Sequence, residues 1–267
     1  MLVPALAGCL LALAITLPLA WKWELGVRRV GVAVAVIAVV VAALTSLVEL
    51  SDAASAAVVW ALTLALAFAI LAWRFYRDPE RRPPTVDDDI VVSPADGEVI
   101  YVRTSKDGRL PVATKHGRDY ELLELTKTPL RDEEAVVVGI AMSFLDVHIN
   151  RAPIAGHVRL RRHFPGRFGS LGRADMVFEN ERATTVIERP DYEIAVVQIA
   201  SRLVRQIAAY VDVGENVALG QRIGVIRLGS QVDVVLPARA GLHVNVKPGQ
   251  RVRAGESILA TLTPQQP

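Results

Sequence analysis

Apolar residues fill the first quarter of the chain almost without a break, and beyond that point they recur only in short runs. Three long apolar stretches come first: Leu2 to Ala20, Val30 to Val48 and Ala54 to Ala72. At 1.5 Å per helical residue each is about long enough to cross a hydrocarbon core of roughly 30 Å. Trp21, Trp23 and Trp73 lie near the ends of these stretches, where interfacial anchors belong. The pattern predicts transmembrane helices, three of them, or two if the first stretch lies in the interface. A secretory leader followed by core helices would need a cleavage site, and the runs lack a clear one. The box Leu6-Ala7-Gly8-Cys9 has neither a basic segment nor an apolar run ahead of it.

Basic residues orient these spans. The first connection holds Lys22, Arg28 and Arg29, the second (Glu49 to Asp52) holds no Lys or Arg, and the third stretch is followed by Arg74, Arg77, Arg81 and Arg82. The consistent solution leaves the N-terminus outside and everything after Ala72 in the cytoplasm. The protein is then expected to be integral to the cell membrane, with its globular part facing the cytoplasm.

The pattern changes after the third stretch. Residues 74–89 are polar and carry Pro79, Pro83 and Pro84, which reads as a juxtamembrane linker. From Ile90 onward short β-rich runs are broken by Gly, Pro and Asp: Ile90 to Val92, Glu98 to Arg103, Ala135 to Phe144, Thr184 to Ile187 and Ile194 to Ile199. One helix is predicted from about Ser201 to Ala209. The expected architecture is a membrane anchor (1–73), a linker (74–89) and a mainly β unit with few helices (90–267). An approximate repeat supports a β-sandwich or flattened barrel. Val211 to Ile223 and Val244 to Ile258 share a strand, a glycine turn, a short strand, a second glycine turn and another strand. Such paired copies resemble the barrels of biotinyl and lipoyl carriers. A carrier would need a modifiable lysine at an exposed hairpin tip. What lies between the copies is Gly229-Ser230.

Composition narrows the chemistry. Of 267 residues 52% are hydrophobic and the net charge is +2, so no overall field points to nucleic acid. The single cysteine, Cys9, excludes a disulfide framework within the chain and any cysteine-based metal cluster. His116, His157, His163 and His243 have no metal-ligand spacing. The run Arg159, Arg161, Arg162, His163, Arg167 reads either as a solvated face or as a contact for anionic headgroups, worth about 1 kcal/mol per basic residue near a charged membrane.

Gly229-Ser230, between apolar strand-like runs, is a bond a chain can cut by itself. The serine hydroxyl attacks the preceding glycine carbonyl and the amide becomes an ester. Elimination at the serine α-carbon leaves dehydroalanine, which hydrolyses to a pyruvoyl group on the new fragment. Alone the dipeptide reads as a turn, as does Asp96 in Pro94-Ala95-Asp96-Gly97. His148, in Asp146-Val147-His148-Ile149-Asn150-Arg151, is the best candidate for a base, because histidine titrates near working pH and a free hydroxyl is a poor nucleophile.

Taken together, Arg77-Asp78-Pro79, Ser93 to Gly97, Phe144 to Pro153, Glu179-Asn180-Glu181-Arg182 and Leu228-Gly229-Ser230 resemble the phosphatidylserine decarboxylase proenzyme family, of the short prokaryotic and archaeal type. The resemblance covers about Phe75 to Pro237, and Lys115 to Tyr120 and Val197 to Ala200 also fit. It implies self-cleavage between Gly229 and Ser230 into fragments 1–229 and 230–267. It also implies a pyruvoyl group derived from Ser230 that forms a Schiff base with an aminophospholipid, without metal or pyridoxal phosphate. The product would be the ethanolamine lipid plus carbon dioxide. His148 would be the acid and base of both stages, with Asp96 orienting it or supporting its charge. Asn180, Glu181, Arg182 and Arg151 are candidates for substrate binding. Longer family members carry a second histidine where this chain has Arg151, so a literal Asp-His-Ser triad is not expected. The residue after the serine, often Thr or Arg, is Gln231 here. A homodimer is a reasonable expectation, and fatty-acyl and archaeal ether lipids both stay open as substrates. Two other readings compete: a membrane-anchored barrel-sandwich binding or adaptor protein, which leaves His148, Asp96 and Gly229-Ser230 unexplained, and a relative that keeps the fold without activity.

Overall fold

The computed structural model describes residues 2–23, 25–85, 87–105, 109–110, 120–132, 134–167, 176–200, 207–226 and 230–262. The chain divides into two compact units, Met1–Arg77 and Asp78–Pro267.

The first unit is three helices, α1 (Leu2–Lys22), α2 (Val27–Thr45) and α3 (Asp52–Tyr76), each long and apolar enough to cross a membrane. Val3, Leu10 and Val39 point outward and are largely exposed, a surface that suits lipid and would be a liability in water. Small residues let the helices approach: a Cβ on Gly8 of α1 would meet the Ala56 carbonyl of α3 at 2.7 Å. The Thr16 and Thr45 hydroxyls donate to the carbonyls of Ala12 and Val41, at 2.9 and 2.8 Å, so neither polar group is left unsatisfied. Ser51 caps α3 by accepting from the Ala54 N–H. The helix runs on through Trp73 to Tyr76, past the end of the apolar stretch.

The second unit is mainly β. Its first strands are β1 (Ile90–Val92), β2 (Gly97–Thr104), the small hairpin β3 (Arg109–Leu110) and β4 (Tyr120–Glu121), and β5 (Ala135–Met142), with α4 (Leu122–Thr126) between β4 and β5. Next come β6 (Ile149–Arg151), β7 (Gly156–Phe164), α5 (Met176–Glu179) and β8 (Arg182–Glu188). Then follow β9 (Glu193–Ile199), β10 (Ile207–Ala209), β11 (Asn216–Val217) and β12 (Arg222–Ile226), and last β13 (Ser230–Pro237), β14 (Leu242–Val244), β15 (Arg251–Val252) and β16 (Ile258–Leu262). The helix expected from 201 to 209 is a correction: Ile207–Ala209 is strand β10, paired with β12, and 201–206 lie outside the described residues. Short apolar runs of this kind carry no period long enough to separate helix from strand, and the β12 pairing decides.

Eight strands form one curled half-barrel sheet in the order β11-β7-β8-β9-β13-β5-β2-β15, and two three-stranded sheets, β1-β16-β14 and β10-β12-β6, accompany it. Read outward from the central β9–β13 pair, the two arms match strand for strand. The backbone bonds match as well. Gly214 N–H donates to Val158 O at 2.9 Å and Gly249 N–H to Val99 O at 2.8 Å. Likewise Gly220 N–H reaches Ala152 O at 2.9 Å and Gly255 N–H reaches Ser93 O at 2.7 Å. The unit is thus two half-barrels related by an internal two-fold: β1, β2 and β5 with β13 to β16, and β6, β7 and β8 with β9 to β12. Each half begins its long strand on a glycine that no other residue can replace. A Cβ on Gly97 would lie 2.2 Å from the Ala141 carbonyl oxygen, and one on Gly156 2.5 Å from that of Glu188.

Alternation splits the sheet between two cores. Val232, Val234 and Leu236 of β13 join the larger apolar cluster together with Val99, Ile140, Val196 and Leu259. Val235 faces the other way, with Val137, Val197 and residues of α4 and α5. Each such side chain contributes about 1.5–3 kcal/mol by leaving water.

Candidate active site

Strand β5 ends at Met142, directly opposite Ser230, the first residue of β13. Gly229, with 227 and 228, lies outside the described residues. The chain leaving β5 turns at 143–146, where Asp146 Oδ2 accepts the Ser143 N–H at 2.8 Å and Asp146 Oδ1 is paired with Arg251. This turn delivers His148, which is 3% exposed. The His148 carbonyl accepts the N–H of Ile226, the last residue of β12 and shortly ahead of 230, at 3.1 Å. The fold therefore brings His148 and residue 230 to the same end of the sheet, although they are remote in sequence.

Asp96 reaches this end from the turn before β2. Its Oδ2 accepts the Val147 N–H at 3.4 Å and its Oδ1 the Ala254 N–H at 2.8 Å. Both oxygens also receive Arg81, which forms a bidentate pair and donates to the Ala254 carbonyl at 3.0 Å. Burial pushes the Asp96 carboxyl up, but the Arg81 guanidinium and the two N–H groups outweigh it and hold the group below its ordinary range. Asp96 is thus an ionised anchor whose link to His148 runs through the neighbouring peptide.

Arg81 is a residue that sequence reading passes over, since it lies in a stretch that reads as linker. The stretch is in fact tied to the β unit. Arg222 pairs with Asp78 and Glu80, each at 2.6 Å. Arg151 donates to the carbonyls of Pro79 and Gly220, at 3.0 and 2.9 Å. The only signal for Arg81 was its closeness to Arg77-Asp78-Pro79.

The remaining candidates fall in two places. Arg151 is buried at the end of strand β6, with Asp78 3.5 Å away. Asn180 and Arg182 are buried on the face that α4 covers. Asn180 Nδ2 donates to Ala200 O at 2.8 Å, and Arg182 donates to the carbonyls of Asn180, Glu124 and Leu125. Burial lowers the Arg182 pKa to about 10, against the pull of Asp233 and Tyr101. Glu181 instead pairs with His163 at 2.9 Å. In the basic run, Arg159 pairs with Glu193, Arg161 with Asp212 and Arg167 with Glu179, which leaves less charge for headgroups than the sequence suggests. Among the described residues no three His, Cys, Asp or Glu side chains converge as metal ligands would.

A second group, also missed from sequence, lies beside residue 230. Tyr101, Gln231 and Asp233 are joined by hydrogen bonds within the sheet. The signal was present: Gln231 and Asp233 interrupt an otherwise apolar strand on one face.

Comparison with known proteins gives a consistent picture. The family model described as phosphatidylserine decarboxylase matches residues 68–260. The putative archaetidylserine decarboxylase proenzyme of Methanothermobacter thermautotrophicus is 38% identical over 201 residues, 74% of this chain and 85% of that protein. The phosphatidylserine decarboxylase proenzyme of Erythrobacter litoralis is 42% identical over 205 residues, 76% of each chain. A second putative archaetidylserine decarboxylase proenzyme, from Methanocaldococcus jannaschii, is 40% identical over 186 residues, 70% of this chain and 87% of that protein.

Proposed function

The chain belongs to the phosphatidylserine decarboxylase family of carboxy-lyases, and we propose on that footing that it is a membrane-bound, self-processing decarboxylase of a serine phospholipid, phosphatidylserine or archaetidylserine. The observation that carries this reading is the convergence of His148, Asp96 and residue 230 on one end of the sheet.

In the first stage His148 takes the proton of the Ser230 hydroxyl as its oxygen attacks the Gly229 carbonyl. Asp96, held ionised by Arg81, fixes the Val147 peptide and so keeps the imidazole in reach. A group made from Ser230 would stay held at this end of the sheet. Strand β13 stays seated after a break before it, because it pairs with β5 from Ser230 to Pro237 and with β9 from Gln231 to Val235. Fragments 1–229 and 230–267 then remain together without a covalent link. The pyruvoyl group supplies a ketone that captures the substrate amine and accepts the electrons released as carbon dioxide leaves. His148 returns a proton to the α-carbon of the product. The helices α1, α2 and α3 hold the enzyme in the bilayer that its two-tailed substrate never leaves, with the β unit on the cytoplasmic side by the distribution of Lys and Arg.

Intact mass under denaturing conditions tests the reading, with wild type beside Ser230→Ala. Two fragments in the wild type, the smaller blocked by a pyruvoyl group, and a single chain in the variant are expected. One uncut chain in both, from folded protein, would overturn it.

A further inference from the structure

The side chain of Gln231, next to residue 230, is held in a buried Tyr101–Gln231–Asp233 cluster, where the matching half-barrel has instead a buried Glu193 paired with Arg159. Gln231 Nε2 donates to the Tyr101 hydroxyl and to Asp233 Oδ1, both at 2.7 Å, and the Tyr101 hydroxyl donates to Asp233 Oδ2 at 2.8 Å. Gln231 is 2% exposed and Asp233 is wholly buried. The Tyr101 ring lies against Gly139 on β5, where a Cβ would meet ring atoms at 2.4–2.7 Å. The Arg103 guanidinium stands 4.2 Å from the centre of that ring.

The internal two-fold supplies a control. Strand register matches Tyr101 with Leu160, Gly139 with Val186, Asp233 with Ala195 and Gln231 with Glu193. The same backbone in the other half is therefore built with an alanine and a leucine where this half has an aspartate and a tyrosine. The barrel does not require a carboxylate at that depth, and carrying one is costly. Burial pushes the Asp233 carboxyl up to about 6, against the hydrogen bonds of Gln231 and Tyr101 and the charges of Arg182 and Arg103. A tyrosine and an aspartate that cost stability, placed beside residue 230 where the matching positions hold Leu160 and Ala195, point to work done at residue 230.

We infer that Tyr101, Gln231 and Asp233 form a positioning lock that fixes the peptide between residue 230 and Gln231 and so aims the group at residue 230 toward its substrate. The inference rests on the reading that the chain is cut before residue 230. The cut removes the tether to 229 and leaves residue 230 at a strand end, the place where strands fray. Ser230 pairs with β5 alone, and Gln231 is the first residue of β13 paired on both sides, with Ala141 and Ile199. The lock grips at that residue. Its bonding is that of an ionised Asp233: each carboxylate oxygen accepts one bond, from Gln231 or from Tyr101. A proton on Asp233 replaces an acceptor by a donor and breaks one side of the triangle. The groups that face Asp233 are Tyr101 and Arg103 from β2, Arg182 from β8 and Gln231 from its own strand.

The test uses the full chain in detergent, as wild type, Tyr101→Phe and Asp233→Asn. Intact mass gives the fraction cut. Turnover of phosphatidylserine or archaetidylserine, whichever the wild type accepts, is then expressed per cut chain. Both variants are expected to be cut, with kcat per cut chain down by about 10- to 100-fold and KM within about threefold. The wild type loses kcat as pH falls through about 6 in a way that Asp233→Asn does not share. Wild-type kcat per cut chain in either folded variant would overturn the inference. So would a folded variant that stays uncut, because the cluster would then act on Ser230 before cleavage. If Asp233→Asn does not fold, Tyr101→Phe, which keeps the ring over Gly139, decides alone. A wild type that is neither cut nor active removes the decarboxylase reading itself and is seen before any variant is made.

Discussion

The two half-barrels share a backbone and differ in what stands at one end of it. In the second half, β8 turns straight into β9 through a tight hairpin, with Arg189 N–H on the Tyr192 carbonyl at 2.8 Å. At the matching end of the first half, β5 and β13 come from distant parts of the chain and no hairpin joins them. The place the hairpin would take holds the turn that carries His148 and the start of β13 at Ser230. Side chains differ in the same sense: the position of Asp96 before Gly97 is filled by Ala155 before Gly156. Beside the closed hairpin lies a surface cleft of about 520 Å³, lined by Gly156, His157 and Asn216 and by Arg131, Glu188 and Arg189. Two of its cations are already paired, Arg131 with Glu188 and Arg189 with Asp88. A symmetric barrel thus supplies two equivalent ends, and chemistry is proposed at the one where the strand connection is open and a carboxylate has been added.

The largest effect should separate the two ends. His148→Ala is expected to lower self-cleavage, or turnover of whatever chain is cut, by about 10²- to 10⁴-fold, the range for a positioned acid or base. His157→Ala, in the second half, is expected to change either by less than about threefold. His157 meets Asn216 at 3.4 Å on a partly open surface. Cleavage time courses by gel and mass, followed by lipid turnover, measure both. Equal losses in the two variants would mean that the ends are not chemically distinct.

A smaller effect tests the anchor that exists in one half only. Arg81 and Asp96 have side chains 8% and 9% exposed, so removing the arginine strands a buried carboxylate. Arg81→Ala is expected to cost about 3–5 kcal/mol at neutral pH. The sign with pH follows from the lowered Asp96 value. In the wild type the pair contributes stability above the ordinary carboxylate range, near 4, and this is lost as pH falls through the lowered value. In the variant burial is opposed only by the Ala254 and Val147 N–H groups, so Asp96 moves up, and the carboxylate destabilises the fold at pH 7 and stops doing so once protonated. Melting in detergent should show the widest gap from wild type at pH 7, narrowing as pH falls through the variant's raised value and on toward the wild type's lowered one. Adding Asp96→Asn to Arg81→Ala should recover part of the loss. A gap that does not change with pH would contradict the account.

What the sequence disclosed and what it hid follow the same division. The strand runs were legible because alternation and glycine turns are local signals: Ile90–Val92 and Glu193–Ile199 sit within a residue of where the pattern puts them. The glycine-turn repeat around Gly214 and Gly249 was legible too, since both copies keep the spacing. Its other component, Ser93 to Val99 against Ala152 to Val158, was equally present in the sequence, with Pro94 and Gly97 answering Pro153 and Gly156. It carries fewer identities and lies far from the copy it pairs with, so it emerges only from strand register. Ser230, His148 and Asp96 could be picked out as chemical types in a recognisable order. Arg81 could not, because its meaning depends on Asp96 and Ala254, the latter 173 residues away. Tyr101 looked like an ordinary strand aromatic until β5 placed Gly139 beneath it. The end of the helix expected near 201–209 is strand at Ile207–Ala209 for the same reason, as a three-residue strand is defined by its partner and not by its own period.

The smallest prediction bears on the scaffold, where the halves should behave alike. Gly214 and Gly249 are matched turn residues with φ of 96° and 87°, and a Cβ at either would meet nothing within 4 Å. With no clash, an alanine costs only the left-handed backbone term, about 1–2 kcal/mol, and the cost should be the same in both halves. Gly214→Ala and Gly249→Ala are therefore expected to lower the melting temperature by equal amounts and to leave the extent of cutting unchanged, since the two turns are held by the same set of backbone bonds, to and from Val158 in one and Val99 in the other. Unequal losses would show that the first half depends on its turn in a way the second does not. The asymmetry would then reach beyond the catalytic end into the scaffold, and the matched backbone bonds would be a poor guide to energetic equivalence. Equal losses would confine the difference between the halves to the few side chains at the open end: Asp96, His148 and the Tyr101–Gln231–Asp233 cluster.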